Sequence, residues 1–208
     1  MSKVQVDTID TRSGTSTMQI GSTNTSTINL GVSGDTVNIP SGVTIANAGT
    51  ATGFGLDGTP NFLAYRSSSD QSITNNTYTK VQFNSESYDT DNAYDNSSNY
   101  RFTVPSGKGG KYSLYANVWM RGTDVNMMNY YLLAFYKNGS NIWEQHSNFT
   151  NNDIRSFGAN MSLTLNLSAG DYIEVYGRIN INSGNPSFGN DAMSGVPTTW
   201  FQGIKVAS

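Results

Sequence analysis

The most constraining stretch is residues 112–120, YSLYANVWM. Successive side chains of a β-strand point to opposite faces, so Tyr112, Leu114, Ala116, Val118 and Met120 share one face and Tyr115, Asn117 and Trp119 the other. Both faces call for burial. One is served by the strand's own domain, and the other needs a second surface such as a partner subunit. Residues 172–178 repeat the pattern, with Ile173 and Val175 on one face and Tyr172, Glu174 and Tyr176 on the other. Tyr115, Trp119, Tyr172 and Tyr176 are therefore the expected subunit-interface aromatics, because a lone sandwich has no place to bury them.

Around this stretch the chain reads as all-β. From residue 61 onward short alternating runs at 62–66, 79–83, 101–104, 112–120, 130–136, 141–145, 161–167, 172–179 and 200–206 are separated by Gly, Asn, Asp, Ser and Pro. No segment carries helical periodicity, so the pattern predicts a sandwich. A head of about 150 residues buries about two-thirds of its unfolded surface and needs no disulfide or metal to fold. The chain has no cysteine, which removes disulfides and Cys-based metal sites.

Several spacings in this region also form a set. Phe83, Asp89 and Tyr94 follow at intervals of six and five, Phe102 comes next, and Gly110 with Tyr112 makes Gly-x-Tyr. Residues 132–142 run into an Asn-Gly turn, 165–175 contain Leu-x-Leu-x-x-Gly-Asp, and Phe201, Gly203 and Ile204 close the chain. In this order they resemble the C1q-like domain, a trimeric jelly roll related to tumour necrosis factor. The match departs where Phe102 comes one residue late, where the turn before Gly110 is longer, and where Leu114 and Ala116 replace aromatics. The resemblance covers residues 61–208. It implies a jelly-roll head, a homotrimer, and ligand binding through exposed loops or subunit clefts. Heads of this family can bind calcium, although no residue here maps onto a ligand.

Residues 1–58 differ in kind. They are rich in Ser and Thr, with Phe54 as the only aromatic. Apolar pairs two residues apart recur at Val4 and Val6, Met18 and Ile20, Ile28 and Leu30, Val37 and Ile39, and Val43 and Ile45, separated by turn residues. One copy has too few apolar groups to offset its chain entropy, whereas three copies wound about one axis do not. The expectation is an extended fibrous β stalk, a β-prism or triple β-helix, over 1–52, against the alternative of a disordered tether. A Gly-rich hinge follows at 53–60 and a jelly-roll head at 61–208. GFGLDG at 53–58 has dinucleotide-motif spacing, but Thr59-Pro60 follows in place of a helix, so hinge is the reading kept.

Composition narrows the function. Twelve basic and fifteen acidic residues give a net charge of −3 with no basic run, which argues against nucleic acid as a partner. A mean hydropathy of −0.43 and the lack of a long apolar run argue against membrane insertion, and MSKVQVDTID contains no signal-peptide core. The only histidine, His146, has no second His for a metal pair or triad. The acidic run 89–95 suits calcium by composition but departs from the EF-hand pattern at Ala93, Tyr94 and Tyr100. No cofactor is expected, calcium remaining the one candidate. Asp153, Glu144 and Asp191 are the carboxylates a glycan-cleaving enzyme would need, yet their spacing singles out no pair.

The opening 45 residues resemble the stalks of bacteriophage tail fibres. The expectation is a non-enzymatic structural protein of a virion, a trimeric fibre anchored to other virion proteins by its stalk. The alternatives are a capsid decoration or head fibre without receptor binding and a glycan-degrading enzyme. Loops rich in Tyr, Asn, Asp and Trp suit host-surface carbohydrate, since flat aromatics stack on sugars and amides pair with hydroxyls. The candidates are Tyr88, Asp91, Tyr94, Trp143, His146 and Phe149, with Trp143 the one most open to being core because it sits in a strand.

Overall fold

The computed structural model describes residues 20, 23–24, 26–44, 46, 59–67, 69–123, 128–149, 154–189 and 196–207. The chain divides into two units, Met1–Ala51 and Thr52–Ser208. The proposed hinge residues 53–58 lie outside the described residues.

The second unit is all-β. Its strands are β1 (Asn61–Tyr65), β2 (Gln71–Ser72), β3 (Thr79–Lys80), β4 (Ser85–Asp89), β5 (Tyr94–Asp95), β6 (Arg101–Thr103), β7 (Gly110–Arg121), β8 (Met128–Lys137), β9 (Ser140–Asn148), β10 (Ser156–Leu167), β11 (Tyr172–Ile181), β12 (Ser187–Gly189) and β13 (Trp200–Ala207). The first sheet runs β4-β1-β13-β7, with β10 along the other side of β7 and the short β12 and β2 continuing past the end of β13. The second runs β5-β6-β11-β8-β9, with β3 sharing one side of β11 with β6. Every pairing is antiparallel. From β6 to β12 the chain alternates between sheets, apart from the β8–β9 hairpin, and β13 follows β12 in the first sheet. This is the jelly roll expected from the sequence.

Alternation makes the core. On β7 the five residues Tyr112, Leu114, Ala116, Val118 and Met120 are all buried, as predicted. Phe62 of β1 stacks on Phe102 of β6 at 4.7 Å and on Tyr94 of β5 at 5.3 Å, and meets Phe201 of β13 edge-on at 4.9 Å. Phe83 and Phe135 also pack on Phe201, so one aromatic joins both sheets. Gly203 sits inward next to it, where a Cβ would meet the Phe62 ring at 2.6 Å. The β8–β9 turn places Asn138 and Gly139 at φ 51° and 79°, the left-handed pair a two-residue hairpin requires.

All nine expected strands are present, several with different ends. β10 begins at Ser156 and not at 161, because its first residues are fixed by the ladder to β7 and not by an apolar pattern of their own. The short strands β2 and β4 are mostly polar, β5 pairs locally with β6, and β2, β4 and β12 pair with neighbours distant in sequence.

In the first unit the described residues carry turns at 23–24, 33–34 and 41–42, with no helix or strand among them. Asp35 closes one turn, its backbone N–H donating to Val32 O and its carboxylate accepting from Val32 N. Ile20, Ile28, Leu30, Val32, Val37, Ile39 and Val43 are exposed. Val4, Val6, Met18 and Ile45 lie outside the described residues.

Candidate functional site

The outer face of the first sheet is apolar over several strands. Register aligns Tyr88, Leu63, Gln202 and Tyr115 in one row across β4, β1, β13 and β7, and Tyr65, Trp200 and Asn117 in the next. Leu63, Tyr65, Val196, Pro197 and Trp200, with Ser87 and Gln202, line a groove of about 490 Å³ on this face. Tyr88, Tyr115 and Ile204 are 46%, 41% and 44% exposed. Trp119 lies farther along, between Gly158 of β10 and Gly189 of β12, and its buried indole N–H has no hydrogen-bond partner. Sequence reasoning found Tyr115 and Trp119 but not Leu63, Tyr65 or Trp200. The signal was available, since β1 and β13 carry apolar residues at both parities.

The outer face of the second sheet is tyrosine-rich and differently organised. Tyr136 and Tyr176 stack at 4.1 Å, Arg101 lies 4.1 Å over Tyr172, and Lys80 pairs with Glu174 at 2.5 Å. Tyr78 reaches across from the turn before β3 and donates its hydroxyl to Glu144 Oε2 at 2.8 Å, and Asn141 Nδ2 donates to the same oxygen at 2.9 Å. These bonds hold the Glu144 carboxyl below its usual range, the Tyr78 hydrogen bond contributing most. Burial, then the bond to Glu144, pushes the Tyr78 phenol up. Tyr172 and Tyr176 thus have partners within the chain and sit on the face opposite Tyr115 and Trp119.

The glycan candidates do not converge. Tyr88 and Asp91 lie on and just after β4, at one edge of the first sheet. Trp143 and His146 lie on β9, at the edge of the second sheet. Because Phe62 brings β1 over β6, these edges are at opposite ends of the sandwich. Trp143 is 58% exposed and is not core. Phe149 packs on Tyr131 and Phe157 beneath that edge.

Tyr94 corrects the sequence reading. Expected in a polar surface loop, it is 5% exposed and stacks in the core on Phe62. The backbone turns it inward because Asp89 and Asp95 organise the surrounding loop. Asp89 accepts from the N–H groups of Asp91 and Tyr94, and Asp95 from those of Ser97, Ser98 and Asn99. The bonds from Ser98 and Ser97 hold the Asp95 carboxyl well below the usual carboxylate range. The acidic run is therefore occupied with its own backbone, and among the described residues no group of three or more His, Cys, Asp or Glu could hold a metal ion. Of the three carboxylates considered for hydrolysis, only Glu144 lies among the described residues.

No protein-family model matches the chain, and no curated protein does so. Solved structures similar to it include Eiger TNF from S. frugiperda, with 11% identity and a TM-score of 0.48, covering 72% of this chain and 92% of that one. The globular domain of zebrafish complement 1qA protein has 16% identity and a TM-score of 0.47, covering 71% and 97%. Murine APRIL has 14% identity and a TM-score of 0.47, covering 71% and 99%.

Proposed function

We propose that this chain is a non-enzymatic, homotrimeric fibre protein of a virus particle, a phage in particular, whose N-terminal unit attaches to other virion proteins and whose head is exposed and binds a host-surface glycan. The observation that carries self-association is the apolar groove of Leu63, Tyr65, Val196, Pro197 and Trp200 on an open sheet face. Such a face costs free energy in water and is relieved by a partner surface. The exposed Trp143 lies at a different edge of the head, so a copy-to-copy contact using both is heterologous and gives a trimer when three such contacts close as a ring. In the N-terminal unit Ile28, Leu30, Val37 and Ile39 are exposed, and winding against other copies would bury them, which supports the wound-stalk reading.

Attachment to a particle rests on the resemblance of the first 45 residues to phage fibre stalks. If tyrosines and amides serve recognition, purified full-length protein adsorbs to host cells and to their extracted surface polysaccharide. A folded trimer with no affinity for any host surface extract would return the head to a capsid decoration without receptor binding.

A further inference from the structure

The loop 89–95 and the residues that leave β6 line a pocket of about 410 Å³, formed by Asp91, Asn92 and Ala93 with Thr103, Pro105 and Ser106, and backed by the buried Tyr94 and Val104. Its volume falls within the roughly 300–1,000 Å³ of small-ligand sites. The walls are fixed by the fold. Asp89 accepts from the N–H groups of Asp91 and Tyr94, and Asn92 sits between them at φ 50°, a conformation asparagine tolerates. On the other wall Val104 N donates to Asp171 O at 2.8 Å, Gly170 N to Val104 O at 2.9 Å and Lys108 N to Pro105 O at 3.1 Å.

Of the three carboxylates in this loop, two are spent on its backbone. Asp89 and Asp95 accept from backbone N–H groups, whereas the Asp91 carboxylate accepts from the Thr90 hydroxyl, on Oδ2 at 2.7 Å, and has Oδ1 to spare. Among the described residues Asp91 forms no ion pair, and the side chains of Asn92, Thr103 and Ser106 make no hydrogen bond. Burial, and then the Asp91 charge, push the nearby Tyr112 phenol up to about 12, but that hydroxyl donates to Lys108 O. A carboxylate oxygen, an amide and two hydroxyls with unused capacity thus share one pocket with the apolar surface of Ala93, Val104 and Pro105.

We propose that this pocket binds a neutral saccharide through two adjacent hydroxyls, one donating to Asp91 Oδ1 and the other exchanging hydrogen bonds with the Asn92 amide, with the C–H surface of the sugar against Pro105. The lining offers acceptors and donors side by side, so its ligand must both donate and accept, as a vicinal diol does. The bond to the carboxylate is charge-assisted and about twice as strong as a neutral one. An anionic saccharide meets repulsion instead. Burial, and then the charges of Asp89 and Asp95, push the Glu86 carboxyl on β4 up, so the field at this edge is negative, and the net charge of −3 has the same sign. The pocket shares no residue with the groove of the first sheet, so a copy covering that groove does not occupy it. The inference rests on the glycan reading above and gives it a site and a ligand class.

The test is calorimetric titration of the full-length protein with three saccharides of equal length: an oligogalactose, an oligomannose and an oligogalacturonate. At least one neutral saccharide should bind more than about tenfold tighter than the uronate. Asp91→Asn keeps the shape and removes the charge, so it should weaken neutral binding several-fold and narrow the preference over the uronate, with the melting transition retained. Should that variant unfold, Asn92→Gly decides, since Asn92 is exposed and glycine keeps the positive φ while deleting the amide, and it too should weaken neutral binding several-fold. Neutral binding that is unchanged in a folded variant, or a uronate that binds as tightly as the neutral saccharides, overturns the proposal and leaves the glycan reading standing. Failure of all three saccharides overturns the proposal, and failure of host-surface polysaccharide as well overturns both.

Discussion

Trp119 of β7 lies directly opposite Gly189 of β12, so close that a Cβ on Gly189 would stand 2.7 Å from the indole Cδ1. On the other side the ring lies over Gly158, where an added Cβ would find it at 3.5 Å. The indole is accommodated on an outer face because two cross-strand neighbours have no side chain. Gly189→Ala should therefore cost about 1–3 kcal/mol through forced displacement of the ring. Gly158→Ala meets only ordinary van der Waals contact and should stay within about 0.5 kcal/mol of the parent. Urea denaturation of the two variants separates these outcomes, and equal costs would contradict the packing described.

Tyr94 gives a second contrast. It is buried against Phe62 and Phe201, so Tyr94→Ala should destabilise by about 3–5 kcal/mol. Its hydroxyl is buried with no hydrogen-bond partner, so Tyr94→Phe removes an unsatisfied group and should be neutral or stabilising. Burial also holds this phenol well above its ordinary value of 10, so the neutral form is favoured in the folded state and the associated stability is lost only as pH rises past 10. Thermal melts of Tyr94→Phe across that range should fall less steeply than those of the parent.

The contrast between β7 and Tyr94 shows what the sequence could reveal. On β7 the signal is local, since alternation alone assigns Tyr112, Leu114 and Met120 to the core. Tyr94 sits among Asp89, Asp91, Asn92 and Asp95, a composition that reads as solvated loop, and it turns inward because Asp89 and Asp95 cap backbone N–H groups in a pattern that propensity does not encode. Trp143, a candidate that its strand position left open to being core, is exposed. It occupies an edge strand whose inward side is not covered, so a strand position did not mean burial. The groove of Leu63, Tyr65 and Trp200 was legible in principle, as residues apolar on both faces of β1 and β13.

At acid pH the β10–β11 turn should weaken. Asp171 bonds Lys137 Nζ at 2.7 Å, Asn138 Nδ2 at 2.7 Å and the Ser168 N–H at 2.8 Å, and its carboxyl is lowered from 3.8 to about 2, the Lys137 bond contributing most. A carboxyl depressed in the folded state contributes stability above its unfolded pKa and loses it as pH falls through the folded one. Stability should therefore decline between pH 4 and 2, and Asp171→Asn, less stable at neutral pH, should show a smaller decline in that window.

Residues 52–208 should fold without the N-terminal segment, since they form a compact unit whose core cluster, among the described residues, is made of their own side chains. The truncated chain should keep the near-ultraviolet dichroism of its buried tyrosines and a cooperative melt. Loss of both would show that the head needs the stalk to fold.

The account rests most heavily on the first sheet's outer face being covered by other copies of the chain. Light scattering of the full-length protein at micromolar concentration should give three times the chain mass of 22.5 kDa, and Leu63→Glu, which places a charge in the groove, should lower it. A mass of 22.5 kDa for the unsubstituted chain would contradict the account.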